Sequence, residues 1–161
     1  MISFTMHQAR FDYRVAWVCV HEGHVLLQQA EYDPFWSLPG GRVEVLESSE
    51  AAIKREVQEE LGLAKALKIK RLLWVVENFF TSNDRPNHEL GFYYQVDFEN
   101  QPAIYDKNTT FTATEEEGSR MLFRWFPLEA LDQLHLYPTF LKTGLRNLPA
   151  SVQHIVQKDA E

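Results

Sequence analysis

Short apolar runs dominate the first third of the chain. Residues 13–20 (YRVAWVCV) and 24–29 (HVLLQQ) are rich in β-branched and aromatic side chains, with His21-Glu22-Gly23 at their junction. This pattern predicts two strands joined by a turn. The next stretch, EYDPFWSLPGGRVEVLE, is interrupted by Pro34, Pro39, Gly40 and Gly41 and reads as a loop, with residues 42–45 extended. Then the period changes. Ile53, Val57 and Leu61 stack at i, i+4 and i+8, so a helix is predicted over Ser49–Leu61. Ser48 or Ser49 can cap its start, and Gly62 can end it.

Residues 68–80 and 90–98 read as strands around a polar loop at 81–89. Residues 101–118 are polar and irregular and read as a long loop, a feature often tied to function. A short strand follows at 121–126, then a helix near Leu128–Gln133 and a last helix over 137–146. Strands mixed with few helices place the fold in the α+β or mixed α/β class.

Length and charge narrow the field. The chain has 161 residues, which predicts a single domain over 1–161 with a substantial core. With 45% hydrophobic and 24% charged residues, its composition is that of a globular protein rather than a disordered one. The formal net charge of −7, without a basic cluster, argues against duplex DNA and anionic membranes as partners. It does not argue against a small anionic ligand, because a bound divalent cation reverses the local sign. Cys19 is the only cysteine and lies in an apolar run, as a buried structural thiol does. No signal-peptide pattern or membrane-length apolar stretch is visible, so a cytoplasmic protein is expected.

One helical turn calls for explanation. Glu56, Glu59 and Glu60 crowd together in REVQEELG. Like charges at these spacings repel by ~0.2–0.5 kcal/mol per pair. A solvated acidic face is the ordinary explanation of such a turn. Oxygen donors clustered this way also suit magnesium, which takes a few carboxylates, keeps waters and accepts substrate phosphate oxygens. Gly40 and Gly41, beside the helix entry, allow close backbone approach.

From Gly41 the chain reads G-x5-E-x7-R-E-U-x-E-E-x-G-U, U being a bulky aliphatic residue. The fixed positions are Gly41, Glu47, Arg55, Glu56, Val57, Glu59, Glu60, Gly62 and Leu63. This resembles the signature of the Nudix hydrolases at every fixed position. The flanking WSLPGG (residues 36–41) and RWFPLEAL (residues 124–131) are similar to that family as well.

The resemblance implies an α/β/α sandwich with a mixed central sheet. It also implies metal-dependent hydrolysis of a nucleoside diphosphate linked to another group, water being the nucleophile. Mg2+ (or Mn2+) is the implied cofactor, with Glu56, Glu59 and Glu60 as ligands and the Gly40 carbonyl as a further one. Glu56 is alternatively a proton acceptor. Arg55 is implied to position a box glutamate, with Glu47 as its buttress. A further acid from a later loop is expected among Glu115, Glu116 and Glu117, with Glu117 favoured and Glu77 and Glu89 behind it. Arg14 and Arg42 are candidates for phosphate. Trp36 and Phe80, and less so Phe79, Phe92 and Tyr94, are candidates for stacking a base. The expected partner is a small nucleotide or nucleotide conjugate, and a homodimer is compatible. A non-hydrolytic nucleotide-sensing module and an RNA 5′-end pyrophosphohydrolase are the alternatives. The complete set of box acids counts against the first, and the missing basic surface against the second.

Overall fold

The alternation of side chains along residues 9–18 sets the layout of the molecule, because successive strand residues point to opposite faces. Val15, Trp17 and Cys19 pack with Ala52, Ile53 and Val57 of the predicted helix. Ala16 and Val18 pack instead with Leu131, Leu136, Leu141 and Leu145. One sheet therefore carries a cover on each face, in an α/β/α arrangement with few helices.

The computed structural model describes residues 1–115 and 118–159. In chain order its elements are β1 (Ser3–Met6), β2 (Ala9–Val18), β3 (Val20–His21), β4 (His24–Ala30), β5 (Gly40–Arg42), α1 (Ser49–Leu61), β6 (Leu67–Ser82), β7 (Arg85–Phe98), β8 (Phe111–Thr114), β9 (Arg120–Pro127), α2 (Leu141–Gly144) and β10 (Gln153–Lys158). Pro102–Tyr105 and Leu128–Gln133 are 3₁₀ turns. The larger sheet runs β1-β2-β7-β6-β10, with β5 also on β2, and the smaller runs β3-β4-β9-β8. The β2–β7 and β6–β10 pairs are parallel and the rest of the larger sheet is antiparallel, so it is mixed. Among the described residues no helix is long and apolar enough to cross a membrane.

Helix α1 occupies the predicted span. Ser48 is the cap, its Oγ accepting from the Ala51 N–H at 3.2 Å, and Gly62 ends the helix at φ 68°. Ser49 instead meets the Tyr94 hydroxyl at 2.7 Å.

Elsewhere the chain departs from the sequence pattern. The polar stretch 81–89 is not a loop. Asn83 and Asp84, at φ 52° and 59°, form a two-residue hairpin turn, and the residues on either side continue β6 and β7. The extended segment after the glycine loop is Gly40–Arg42 rather than 42–45. The region 101–118 contains a 3₁₀ turn and β8. The helix expected at Leu128–Gln133 is a 3₁₀ turn, and of the last helix only Leu141–Gly144 is α-helical. Proline at position 138 and short apolar spacing favour anchoring Leu136, Leu141 and Leu145 in the core over a long helix.

Candidate active site

Arg55 is the hub of the acidic helix. Its Nε and Nη2 donate to the two carboxylate oxygens of Glu47 at 2.8 and 3.0 Å, a two-point grip. Its Nη1 donates to Glu56 at 2.8 Å and more weakly to Glu59 at 3.4 Å. Nη2 also reaches the Arg42 carbonyl at 2.9 Å, tying the helix to β5. Glu47 in turn accepts from the Glu44 N–H at 3.0 Å. The Arg55 hydrogen bonds are the main cause holding the Glu47 carboxyl below the usual range.

The glycine pair has a steric reason. A Cβ on Gly40 would lie 2.0 Å from the Val15 carbonyl oxygen, so β5 could not close on β2 with any larger residue there. A Cβ on Gly41 would lie 2.2 Å from the Glu56 carboxyl carbon. Glu56 thus rests its carboxylate in the space that Gly41 leaves.

Glu60 faces Glu56 and is half-buried. Burial first, then the charges of Glu56 and Glu115, push its pKa up to about 9, while Arg14 acts in the opposite direction. The nearby Glu56 carboxyl thus favours the protonated form of Glu60. Glu59 is 56% exposed and leans toward Arg55. Among the described residues no group of three His, Cys, Asp or Glu is gathered as finished metal ligands. The donor chemistry nonetheless fits a hard divalent cation. Glu56 and Glu60 interact beside the side-chain-free backbone at Gly41, Glu59 lies on the same turn of α1, and a divalent cation bound there would offset the like charges.

The opposite face of the sheet opens into a cleft of about 570 Å³. Register places four rows of side chains across β2, β7 and β6: Arg10–Asn87–Phe80, Asp12–Glu89–Asn78, Arg14–Gly91–Val76 and Ala16–Tyr93–Trp74. Arg42 extends the third row from β5. The face grades from charged to apolar in about 20 Å or less of strand. Asp12 pairs with Arg10 and with Arg42, each at 3.1 Å, and Arg14 donates to the Leu38 carbonyl at 3.2 Å. Burial raises the Glu89 pKa and lowers that of Arg42. Three guanidiniums (Arg10, Arg14 and Arg42) and four carboxyls (Asp12, Asp33, Glu89 and Asp159) line the cleft, so any attraction for an anion is local to the arginines on β2 and β5.

Of the residues singled out in the sequence, Arg14, Arg42, Phe80 and Glu89 line this cleft. Trp36 is 9% exposed and packs edge-on against Phe126 at 4.7 Å, outside the cleft lining. Phe79 stacks on His88, and Phe92 and Tyr94 pack on the α1 side. Glu77 meets His154 at 2.7 Å, away from the acids. Glu116 and Glu117 lie outside the described residues, and Glu115 is the acid of that run that acts on Glu60. Arg10, Asp12, Gln28 and Asn78 escaped the sequence argument. The alternation in RFDYRV, polar at 10, 12 and 14, was the available signal for the first two.

Similarity to known proteins agrees with this geometry. A protein of Bacillus subtilis (strain 168), named as a candidate 8-oxo-dGTP diphosphatase, is 48% identical over 46 residues, a match spanning 29% of this chain and 31% of that protein. The structure of a MutT NUDIX hydrolase from Burkholderia pseudomallei is 28% identical, with TM-score 0.51, over 74% of this chain and 84% of that one. The fold also matches a MutT protein from Bacillus halodurans at TM-score 0.57 and 18% identity, over 92% and 89% of the two chains. The model of the NUDIX domain matches residues 11–148, a span that holds α1, the glycine pair and Arg14 and Arg42 of the cleft, and the chain therefore belongs to the Nudix family.

Proposed function

We propose that this chain, as one domain over 1–161, is a divalent-cation-dependent pyrophosphohydrolase. Its substrate is a nucleoside diphosphate linked to a further group, such as a nucleoside tri- or diphosphate or ADP-ribose. The observation that carries this is the continuity at β5. Gly41 cradles Glu56, Arg42 lines the cleft, and Arg55 binds both Glu56 and the Arg42 backbone. The acids and the arginine-bearing part of the cleft are thereby both anchored on β5.

Glu56, Glu60 and Glu59, with the Gly40 carbonyl, are the proposed holders of Mg2+ (or Mn2+). When bound, such a cation neutralises phosphate charge and makes water a better nucleophile. Arg55 fixes the direction of the Glu56 carboxylate. Arg14 and Arg42 bind phosphate oxygens and orient the anhydride for in-line attack. Glu115, close enough to raise the pKa of Glu60, is the proposed further acid, positioned to take up a proton. Phe80 offers a stacking surface for the base.

The test is a panel of nucleoside triphosphates and diphosphates, oxidised purine nucleotides, ADP-ribose and diadenosine polyphosphates with Mg2+ or Mn2+, products being resolved by chromatography. Turnover of at least one of these, abolished by EDTA and by Glu60→Gln, is expected. Absence of turnover across the panel, or turnover indifferent to EDTA, contradicts the proposal.

A further inference from the structure

Two residues that line the cleft carry buried side-chain oxygens with no hydrogen-bond partner among the described residues. Gln28 and Asn78 are each 5% exposed, and Gln28 Oε1 and Asn78 Oδ1 have no hydrogen-bond partner. Native proteins rarely leave such atoms unpaired, since an unmet acceptor costs stability. Another orphan among the described residues, Trp17 Nε1, sits in the core on the α1 side. The two carboxamides, by contrast, both line the cleft.

Their surroundings fix what they can do. The Asn78 amide acts on Glu89, its directly paired neighbour on β7, in the sense of a donor that favours the carboxylate, while its oxygen has no partner among the described residues. Gln28 has its backbone locked to Ser37 by bonds of 2.8 and 2.9 Å, so its side chain is held at the cleft while its oxygen remains unmet. Both orphans are acceptors. A ligand that completes them must turn N–H groups, not a carbonyl, toward these oxygens. The aromatic rings of Phe35, Phe80 and Tyr137 line the same cleft, and the arginines on β2 and β5 serve the phosphates.

We propose that Gln28 and Asn78 are specificity-determining residues that select a nucleotide whose base carries an exocyclic amino group. Such selection presupposes that the cleft takes a nucleotide, as proposed above. A base presenting a carbonyl in place of the amino group sets oxygen against oxygen, and one lacking the group leaves the acceptor unmet.

The experiment measures binding of 5′-monophosphates to the cation-free protein by calorimetry, in matched pairs: GMP against IMP and CMP against UMP. The amino-bearing member of at least one pair is expected to bind tighter by about tenfold or more. Equal affinity within both pairs, or no binding of any member, overturns the proposal. Gln28→Met removes an orphan rather than a bond, so its Tm is expected to hold or rise while the affinity ratio falls toward one. If Gln28→Met does not fold, Asn78→Leu is read for the affinity ratio alone, because it also takes a donor from the buried Glu89. A ratio unchanged in the folded variants overturns the proposal. Turnover of triphosphates without base preference defeats base selection and leaves the hydrolase proposal standing. Preference without turnover does the reverse.

Discussion

Arg55 joins Glu47, Glu56 and the β5 backbone through a single guanidinium, so its removal separates three things at once. Arg55→Ala is expected to lower stability by about 1–3 kcal/mol, less than for a fully buried pair because the side chain is 27% exposed. Turnover should fall about 100-fold or more, because Glu56 loses its fixed direction. Urea melts and initial rates check the two halves separately.

Glu47 makes a pH prediction. Its folded pKa is depressed, chiefly by hydrogen bonding to Arg55. Its stabilisation is therefore fully present above the unfolded carboxylate pKa and is lost as pH falls through the folded one. The urea midpoint of the wild type should drop more steeply with acid than that of Glu47→Gln, and parallel acid limbs would contradict this.

At the scale of elements, the adjacent glycines answer different needs. Gly40→Ala drives a Cβ into the backbone of β2, at the Val15 carbonyl and the Ala16 Cα, where nothing can give way cheaply. It is expected to cost several kcal/mol of stability, about as much as severe overpacking does. Gly41→Ala meets only the Glu56 side chain. Its Tm should change little, while its affinity for Mn2+ falls by about tenfold or more as the carboxyl is pushed aside. Calorimetric melting and Mn2+ titration of the two variants distinguish these outcomes.

Helix α1 was legible to the residue because its signals are local: a serine cap, an apolar period and a terminal glycine. The β6–β7 hairpin was not. Thr81, Asn87 and Glu89 made the stretch look like a loop, yet they are polar because they line the cleft rather than a core. The functional face thus disguised its own strands. Strand β10 was equally hidden, since its pairing with β6 joins segments about 80 residues apart and leaves no local trace.

Across the whole molecule, the sheet carries a core on each face, and the cleft opens on the face away from α1. Cys19 belongs to the α1-side core and is fully buried, and burial pushes its thiol up to about 12. Native protein at pH 8 should resist alkylation, with labelling rising only as urea unfolds it. Rapid labelling of the folded protein would mean that the α1-side core is looser than described. The motif residues and the candidate cation donors could be read from the sequence. The cleft could not, because its side chains come from β2, β4, β5, β6 and β7 and meet only through strand register. The same limit applied to the late acid: the run of glutamates was visible, but that Glu115 reaches Glu60 depends on how the chain returns to α1.

In the proposed function Glu56 and Glu60 together hold a divalent cation. Titration of Mn2+ into the protein, followed by electron paramagnetic resonance of the free ion, tests it most directly. The wild type should bind Mn2+, and Glu56→Gln and Glu60→Gln, folded as judged by circular dichroism, should each bind at least about tenfold more weakly. Wild-type affinity in both variants, or no Mn2+ binding by the wild type, would contradict it.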